Sequence, residues 1–332
     1  MDRRTIYFYM AGALLIVLLV LSITVGSIAI PLGRIFQILQ NPHTLNSPDS
    51  KIIWQFRLPQ SLTAVLAGAS LSVSGLQMQT LFQNPLAGPF VLGISAGASL
   101  GVAVATGWSG GHNLSVVSSA GLGSALVILI LLLSARWLSS PTSLLVLGLL
   151  LGYAVNGIVS ILFQFTNSEQ LRRFINWTLG NFSGVTWEQM PILFTFVIIG
   201  LGMAIGLAKP LNTLLLGEEQ ARSLGTALVR LRLLVMVNSA LLVGAITAFC
   251  GPIAFIGVTV PHLCRLLWGG SDHRLLVGGV ILIGSIVALS ADLGTKILGG
   301  GVILPLNALT ALVGIPGMIW IIGFAPGGKH RF

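Results

Sequence analysis

An all-α integral membrane protein, a polytopic bundle of about ten transmembrane helices with an inverted repeat, is the fold this sequence predicts. Three observations carry that expectation. Only 8% of the 332 residues are charged and 55% are hydrophobic, whereas a soluble domain is about 25% charged, so no aqueous surface can be covered. Apolar runs reach the length of about 20 helical residues that crosses a hydrocarbon core about 30 Å thick. Charges, prolines and polar clusters cut these runs into segments. The chain reads as a single transmembrane domain over residues 1–332.

The first run, residues 6–29, follows Met1-Asp2-Arg3-Arg4. It exceeds the roughly 7–15 residues of a signal core and no small-residue cleavage pattern follows it, so it is read as a permanent span. Further spans are expected at 61–82, 90–107, 114–138, 143–165, 190–208, 231–250, 252–268, 275–296 and 303–323, with only Gly251-Pro252 dividing the seventh from the eighth. Two connections are too long to be turns. Phe165 to Met190, with Trp177, Gly180, Phe182 and Trp187, suits a short helix outside the membrane, and the other is the loop 209–230.

Alternate connections hold unequal numbers of basic residues. Arg3, Arg4, Arg136, Lys209, Arg222, Arg230, Arg232, Arg265, Arg274, Lys329 and Arg331 fall on one side, and Arg34, Lys51, Arg57, Arg172, Arg173 and Lys296 on the other. Cytoplasmic loops carry the excess of Lys and Arg, so the first side, with both termini and the loop 209–230, is expected to be cytoplasmic. The net charge of +9 is then a topology signal, with membrane lipid as the solvent and no nucleic-acid partner.

Glycine recurs at helix-contact spacing in Gly93-x3-Gly97-x3-Gly101, Gly148-x3-Gly152 and Gly202-x3-Gly206, a pattern that lets helix backbones approach closely in lipid. Gly88-Pro89-Phe90-Val91-Leu92-Gly93 is echoed by Gly251-Pro252-Ile253-Ala254-Phe255-Ile256-Gly257. The copies fall in connections on opposite membrane faces, which is what an inverted-topology repeat gives.

Convergent catalytic groups are not evident. Of the acids Asp2, Asp49, Glu169, Glu188, Glu218, Glu219, Asp272 and Asp292, only Asp292 falls inside an expected span. A charge there is costly and marks either a functional group or the partner of Lys296 one helical turn on. His43, His112, His262, His273 and His330 lack metal-ligand spacing, so no metal or cofactor is expected on this chain. Cys250 and Cys264 lie 14 residues apart, too far for a disulfide if that stretch is helical. Gly323 to His330 nearly matches a phosphate-binding loop, but His330 replaces the hydroxyl that would hold magnesium, and no following helix remains. ATP, if used, must be hydrolysed on another polypeptide.

Several stretches, in order and across nearly the full chain, resemble the permease subunits of ABC importers for iron-siderophore complexes, haem and vitamin B12. They are Arg57-Leu-Pro-Gln-Ser-Leu-Thr-Ala-Val, Gln83-Asn84-Pro85-Leu86-Ala87-Gly88-Pro89 leading to Leu92-Gly93, Gly217-Glu218-x2-Ala221-x-Ser223-Leu224-Gly225, Gly251-Pro252-x2-Phe255-Ile256-Gly257, Pro261-His262-x2-Arg265 and Ala291-Asp292. The resemblance implies ten spans with cytoplasmic termini in a bacterial plasma (inner) membrane. It also implies a second permease subunit, two ATPase subunits that hold the ATP and magnesium, and a periplasmic or lipid-anchored substrate-binding protein. The cargo would be a metal chelate, first an iron-siderophore complex, alternatively vitamin B12 or haem, moved by alternating access.

The resemblance also places roles. The coupling helix that enters an ATPase groove would be Gly217, Glu218, Glu219, Ala221, Arg222, Leu224 and Gly225, with Ala221 and Leu224 on the buried face and the two acids at its amino end. Arg57 and Lys296 would receive the binding protein, although Gln60 stands where many relatives have a second basic residue. Asn84, Leu86, Thr142 and Ser143 would form the inner gate. The competing class, a secondary transporter driven by an ion gradient, needs membrane-embedded acids, and Asp292 is its one support.

Overall fold

The structure, a computed structural model, describes residues 3–26, 28–40, 47–108, 113–135, 137–138, 140–298 and 304–324. Its helices are α1 (Arg3–Thr24), α2 (Leu32–Gln40), α3 (Pro48–Lys51), α4 (Leu58–Leu81), α5 (Ile94–Trp108), α6 (Asn113–Ser134), α7 (Pro141–Gln164), α8 (Ser168–Thr178), α9 (Met190–Leu214), α10 (Glu218–Ser223), α11 (Leu228–Cys250), α12 (Ile256–Trp268), α13 (His273–Leu298) and α14 (Leu306–Phe324). The near-match to a phosphate loop at Gly328-Lys329-His330 lies outside the described residues.

Each expected span coincides with a helix, yet the helices differ in reach. Among the described residues seven are long and apolar enough to cross a bilayer: α1, the continuous stretch Pro48–Leu81, Val116–Ser134, Thr142–Gln164, α9, α11 and α13. α5 has 15 residues and α12 has 13; at 1.5 Å per residue these rise about 22 and 20 Å, short of a core of about 30 Å. Full-length spans at 90–107 and 252–268 are thus corrected. The reason is the Gly-Pro break before each, where the chain runs on without an α-helix.

The break at Pro89–Leu92 is a 3₁₀ turn closed by Gly93 at φ 71°. Its echo turns at Gly251, φ 75°, and at Phe255, φ 70°. Asn307 of α14 pins this second break, donating from Nδ2 to the carbonyl of Pro252 at 2.6 Å and accepting from the N–H of Ala254 at 3.0 Å. α4 starts earlier than the expected residue 61, through a π-helical turn, Ile52–Arg57, in which the N–H of Leu58 bonds to the carbonyl of Ile53. The widened turn sits just before Pro59, which has no N–H to offer a regular α-turn.

In lipid no hydrophobic force drives helices together, so backbone contact and hydrogen bonds must hold them. α4 is the central helix, almost wholly buried from Ser61 to Leu81. A Cβ on Gly68 would overlap the carbonyl of Gly284 in α13, and one on Gly75 the carbonyl of Gly257 in α12. Gly97 likewise meets Gly123 of α6, and Gly148 of α7 meets Val91 and Leu92. Gly202 and Gly206 meet nothing within 4 Å, so that expected contact is corrected: their face of α9 is open.

The two halves repeat one pattern. α4 packs on α12 and α13, while α11, the helix before the second break, packs on α5 and α6. Where α4 and α11 meet, Asn238 donates to the side-chain oxygen Oε1 of Gln77 at 2.9 Å and the hydroxyls of Ser74 and Ser239 pair.

The loop carrying α10 joins α9 to α11, and Gln83, just past α4, reaches the carbonyl of Leu214 at the end of α9. α4 therefore ends beside α10 and α11 starts there, so the two breaks open at opposite ends of the bundle. The other end gathers the end of α1, the start of α4 and the end of α13. Outside the bundle, the expected short helix in 165–190 is α8, closed by a capping box between Asn167 and Gln170.

Candidate functional site

At the α10 end the candidate coupling loop forms a six-residue helix that starts at Gly217, φ 104°, without a side-chain cap. Glu218 pairs with Arg232 of α11 at 2.6 Å, while Glu219, Arg222 and Gly225 are exposed. The expected shared face of Ala221 and Leu224 is corrected. Ala221 is fully buried against its own chain, and Leu224 is 61% exposed. Six residues make fewer than two turns, so one side of α10 lies on α9 and α11 and only the other can meet a partner. Leu215 and Leu216, before the helix, and Val229, after it, extend this apolar exposed surface.

The candidate gate after α4 is a tight turn. Gln83 takes φ 46°, costly for a residue with a Cβ. Asn84 then accepts the N–H of Leu86 on its side-chain oxygen at 2.9 Å, the local bond that makes Asn a turn former. Leu86 is 54% exposed, and the carbonyl of Pro85 accepts from Nε2 of His262 at 2.9 Å. Thr142 and Ser143 are exposed at the start of α7. No hydrogen bond joins them to Asn84 or Leu86 among the described residues.

Polar side chains tie the ends of α4, α9 and α13 together beside this turn. Asn212 of α9 accepts both the backbone N–H of His273 at 2.8 Å and its Nδ1 at 2.9 Å. The same amide donates to Asp272 at 2.6 Å. On its other edge, Nε2 of His273 lies 2.9 Å from the Thr80 hydroxyl of α4. Arg265 donates to Gln79 at 2.6 Å. Backbone and amide donors hold the Asp272 carboxyl below the usual carboxylate range, first the N–H of Arg274 and then the Asn212 side chain. Sequence reasoning missed Asn212 and gave Gln83 no role beyond its place in the Gln83–Pro89 stretch. Asp272-His273 at the mouth of a span was the available signal.

At the opposite end the two expected docking cations are turned inward. Arg57 is only 5% exposed and donates to the carbonyls of Ile23 and Thr24, both at 2.8 Å, and to that of Ile28. The last carbonyls of a helix lack partners within it, and Arg57 supplies them to α1. Its assignment as a surface cation is corrected. Lys296 pairs with Asp292 at 2.8 Å, with side chains 12% and 3% exposed. Gln60 donates to the other Asp292 oxygen at 2.7 Å, so this departure from the basic pattern has its own partner. Cys250 and Cys264 are buried free thiols.

Comparison with known proteins gives these surfaces a context. The model of the FecCD transport family matches residues 14–323. The vitamin B12 import system permease protein BtuC of Salmonella paratyphi A (strain ATCC 9150 / SARB42) is 37% identical over 282 residues, 84% of this chain and 85% of that one. BtuC of Klebsiella pneumoniae subsp. pneumoniae is 36% identical over 317 residues, 93% and 91% of the two chains. Among solved structures, one described as an inward-facing conformation of a metal-chelate type ABC transporter superposes with a TM-score of 0.85 at 28% identity, covering 95% of this chain and 98% of that one. PsaBC from Streptococcus pneumoniae in complex with Fab, at 14% identity and a TM-score of 0.57 over 89% and 98% of the chains, shares the fold.

Proposed function

The chain belongs to the FecCD transport family, and from that premise we propose that it is one of two permease subunits that pass a bulky metal chelate between them. It is a multi-pass membrane protein of the ABC importer permease type. The observation that carries the fuller reading is identity of 36–37% to vitamin B12 permeases over 84–93% of this chain. Vitamin B12 is therefore the first cargo to test. The iron-siderophore complex implied by the sequence resemblance is the second, and haem the third.

In this reading two separate ATPase subunits bind ATP and magnesium, and the exposed side of α10, with Leu224 at its edge, docks on one of them. A binding protein delivers cargo to the Arg57 end, and both termini face the cytoplasm of a bacterial cell. The cargo route runs between two copies or two related chains. A groove of about 670 Å³ among α6, α9 and α11 is lined by side chains such as Ile128, Phe196 and Leu241, a surface suited to lipid tails and not to a polar chelate. Against an ion-gradient mechanism stands Asp292, whose charge is matched by Lys296.

Vesicles reconstituted with the permease, its cognate ATPase and its cognate binding protein test this. ATP-dependent entry of labelled vitamin B12, with the ATPase copurifying at full stoichiometry, is the expected outcome. Entry of an iron-siderophore complex alone would move the cargo to the second reading. Uptake driven by an ion gradient without ATPase would overturn the importer reading.

A further inference from the structure

We infer that Asn212 and His273 act as a latch that makes the α10 loop and the Gln83–Leu86 turn move as one body. The inference rests on the reading of α10 as the ATPase contact, and it names residues to which no role attaches in the sequence patterns. α9 runs straight into that loop, so any displacement of α10 is delivered to its last turn, where Asn212 stands. The amide orientation follows from its neighbours: Nδ2 must face the Asp272 carboxylate, which leaves Oδ1 for the two donors of His273. Nδ1 then carries the ring proton, and Nε2 accepts from Thr80.

The chain of bonds thus runs from α9 through the start of α13 to the last turn of α4. The Thr80 hydroxyl has a second acceptor, the carbonyl of Leu76 at 3.1 Å, so its bond to His273 can be exchanged without leaving a buried donor bare. Two further contacts close the loop of connections. Gln83 donates to the carbonyl of Leu214 at 3.5 Å, and the N–H of Gly217, the residue before α10, bonds to that same carbonyl at 3.1 Å. Leu214 is therefore shared between the two functional turns. His273 is 1% exposed, so water does not substitute for a lost partner. Gln83 keeps a left-handed backbone, a costly conformation that persists only where its surroundings fix it, as the bond to Leu214 does.

Asn212 and His273 are positioning residues, and the test separates coupling from stability. In the reconstituted complex, Asn212→Ala and Thr80→Val are expected to keep the ATPase bound while the cargo imported per ATP falls about 5- to 10-fold, the scale of ordinary site-to-site coupling. The exchange Asn212→Asp with Asp272→Asn restores a donor facing a carboxylate with the roles reversed, and should recover most of the loss. Unchanged cargo per ATP in Asn212→Ala, or a loss only in proportion to lost complex, overturns the latch. Leu224→Asp is run beside these variants. If it keeps full ATPase stoichiometry and coupled uptake, the α10 reading fails and the latch falls with it; if it releases the ATPase while Asn212→Ala stays fully coupled, only the latch fails.

Discussion

The two ends of the bundle treat their charges in opposite ways. At one end Arg57 turns onto three carbonyls of the α1 terminus and its surroundings, and Lys296 onto Asp292. At the other, α10 keeps Ala221 and Glu218 for its own chain and leaves Glu219, Arg222 and Leu224 outside. A cation at the edge of a membrane bundle answers first the unmet carbonyls and carboxylates of its own chain. What remains for a partner is the residue that a short helix cannot turn inward. Readiness for docking is therefore set by exposure, and a basic residue in a sequence does not by itself report it.

Breaking one ion pair at each end gives the largest contrast. Asp292→Ala leaves a buried, uncompensated ammonium and should cost about 3–5 kcal/mol, while Asp292→Leu with Lys296→Met should be close to neutral. Glu218→Gln, at a partly exposed pair, should cost less than about 1 kcal/mol. Thermal unfolding in detergent measures both, and equal losses would erase the distinction between the ends.

A smaller effect separates the two faces of α10. Ala221→Leu overpacks the contact with α9 and α11, costing about 1–3 kcal/mol, and should expose the loop to limited proteolysis. Leu224→Ala should change stability by no more than about 0.5 kcal/mol. The smallest effect concerns pH at Asp272, whose folded-state value lies below the ordinary one of about 3.9. Its contribution is complete above that ordinary value and is lost as pH falls through the lower, folded one. Cargo imported per ATP should thus be unaffected by Asp272 at any pH above about 5, roughly a unit over that ordinary value, and a midpoint near 6 would place control on another group.

How far the sequence could be read follows from what each signal depends on. Apolar runs placed a helix at each of the expected spans because an apolar run is a property of the local chain, and Gly-Pro located both breaks for the same reason. Helix contacts are relations between distant segments. Gly202-x3-Gly206 has the spacing of a contact and faces open space, whereas Gly97 and Gly101, in a motif of the same spacing, do meet α6, and Gly68 with Gly284 and Gly75 with Gly257 cross comparably closely without any motif within one helix. Ala221 and Leu224 parted for a similar reason: which side of a two-turn helix is buried depends on where the bundle lies. Arg57 could not be placed without knowing that α1 ends at Thr24, beneath its guanidinium.

The burial of α4 also has a consequence in time. The stretch Pro48–Leu81 that contains it is the least apolar of the spanning segments, with a mean hydropathy of 1.3 against 2.5 for α1, and its polar side chains are answered by residues made much later. Asp292, whose carboxylate accepts from the Gln60 side chain, lies 232 residues downstream. At ordinary rates of synthesis that separation is roughly 10–45 s. During that interval the buried polar face of α4 has no partner from the second half of the chain, so its insertion is expected to need a holding step that α1 does not, and crosslinking of nascent chains to the insertion machinery would show equal residence of the two helices if this were wrong.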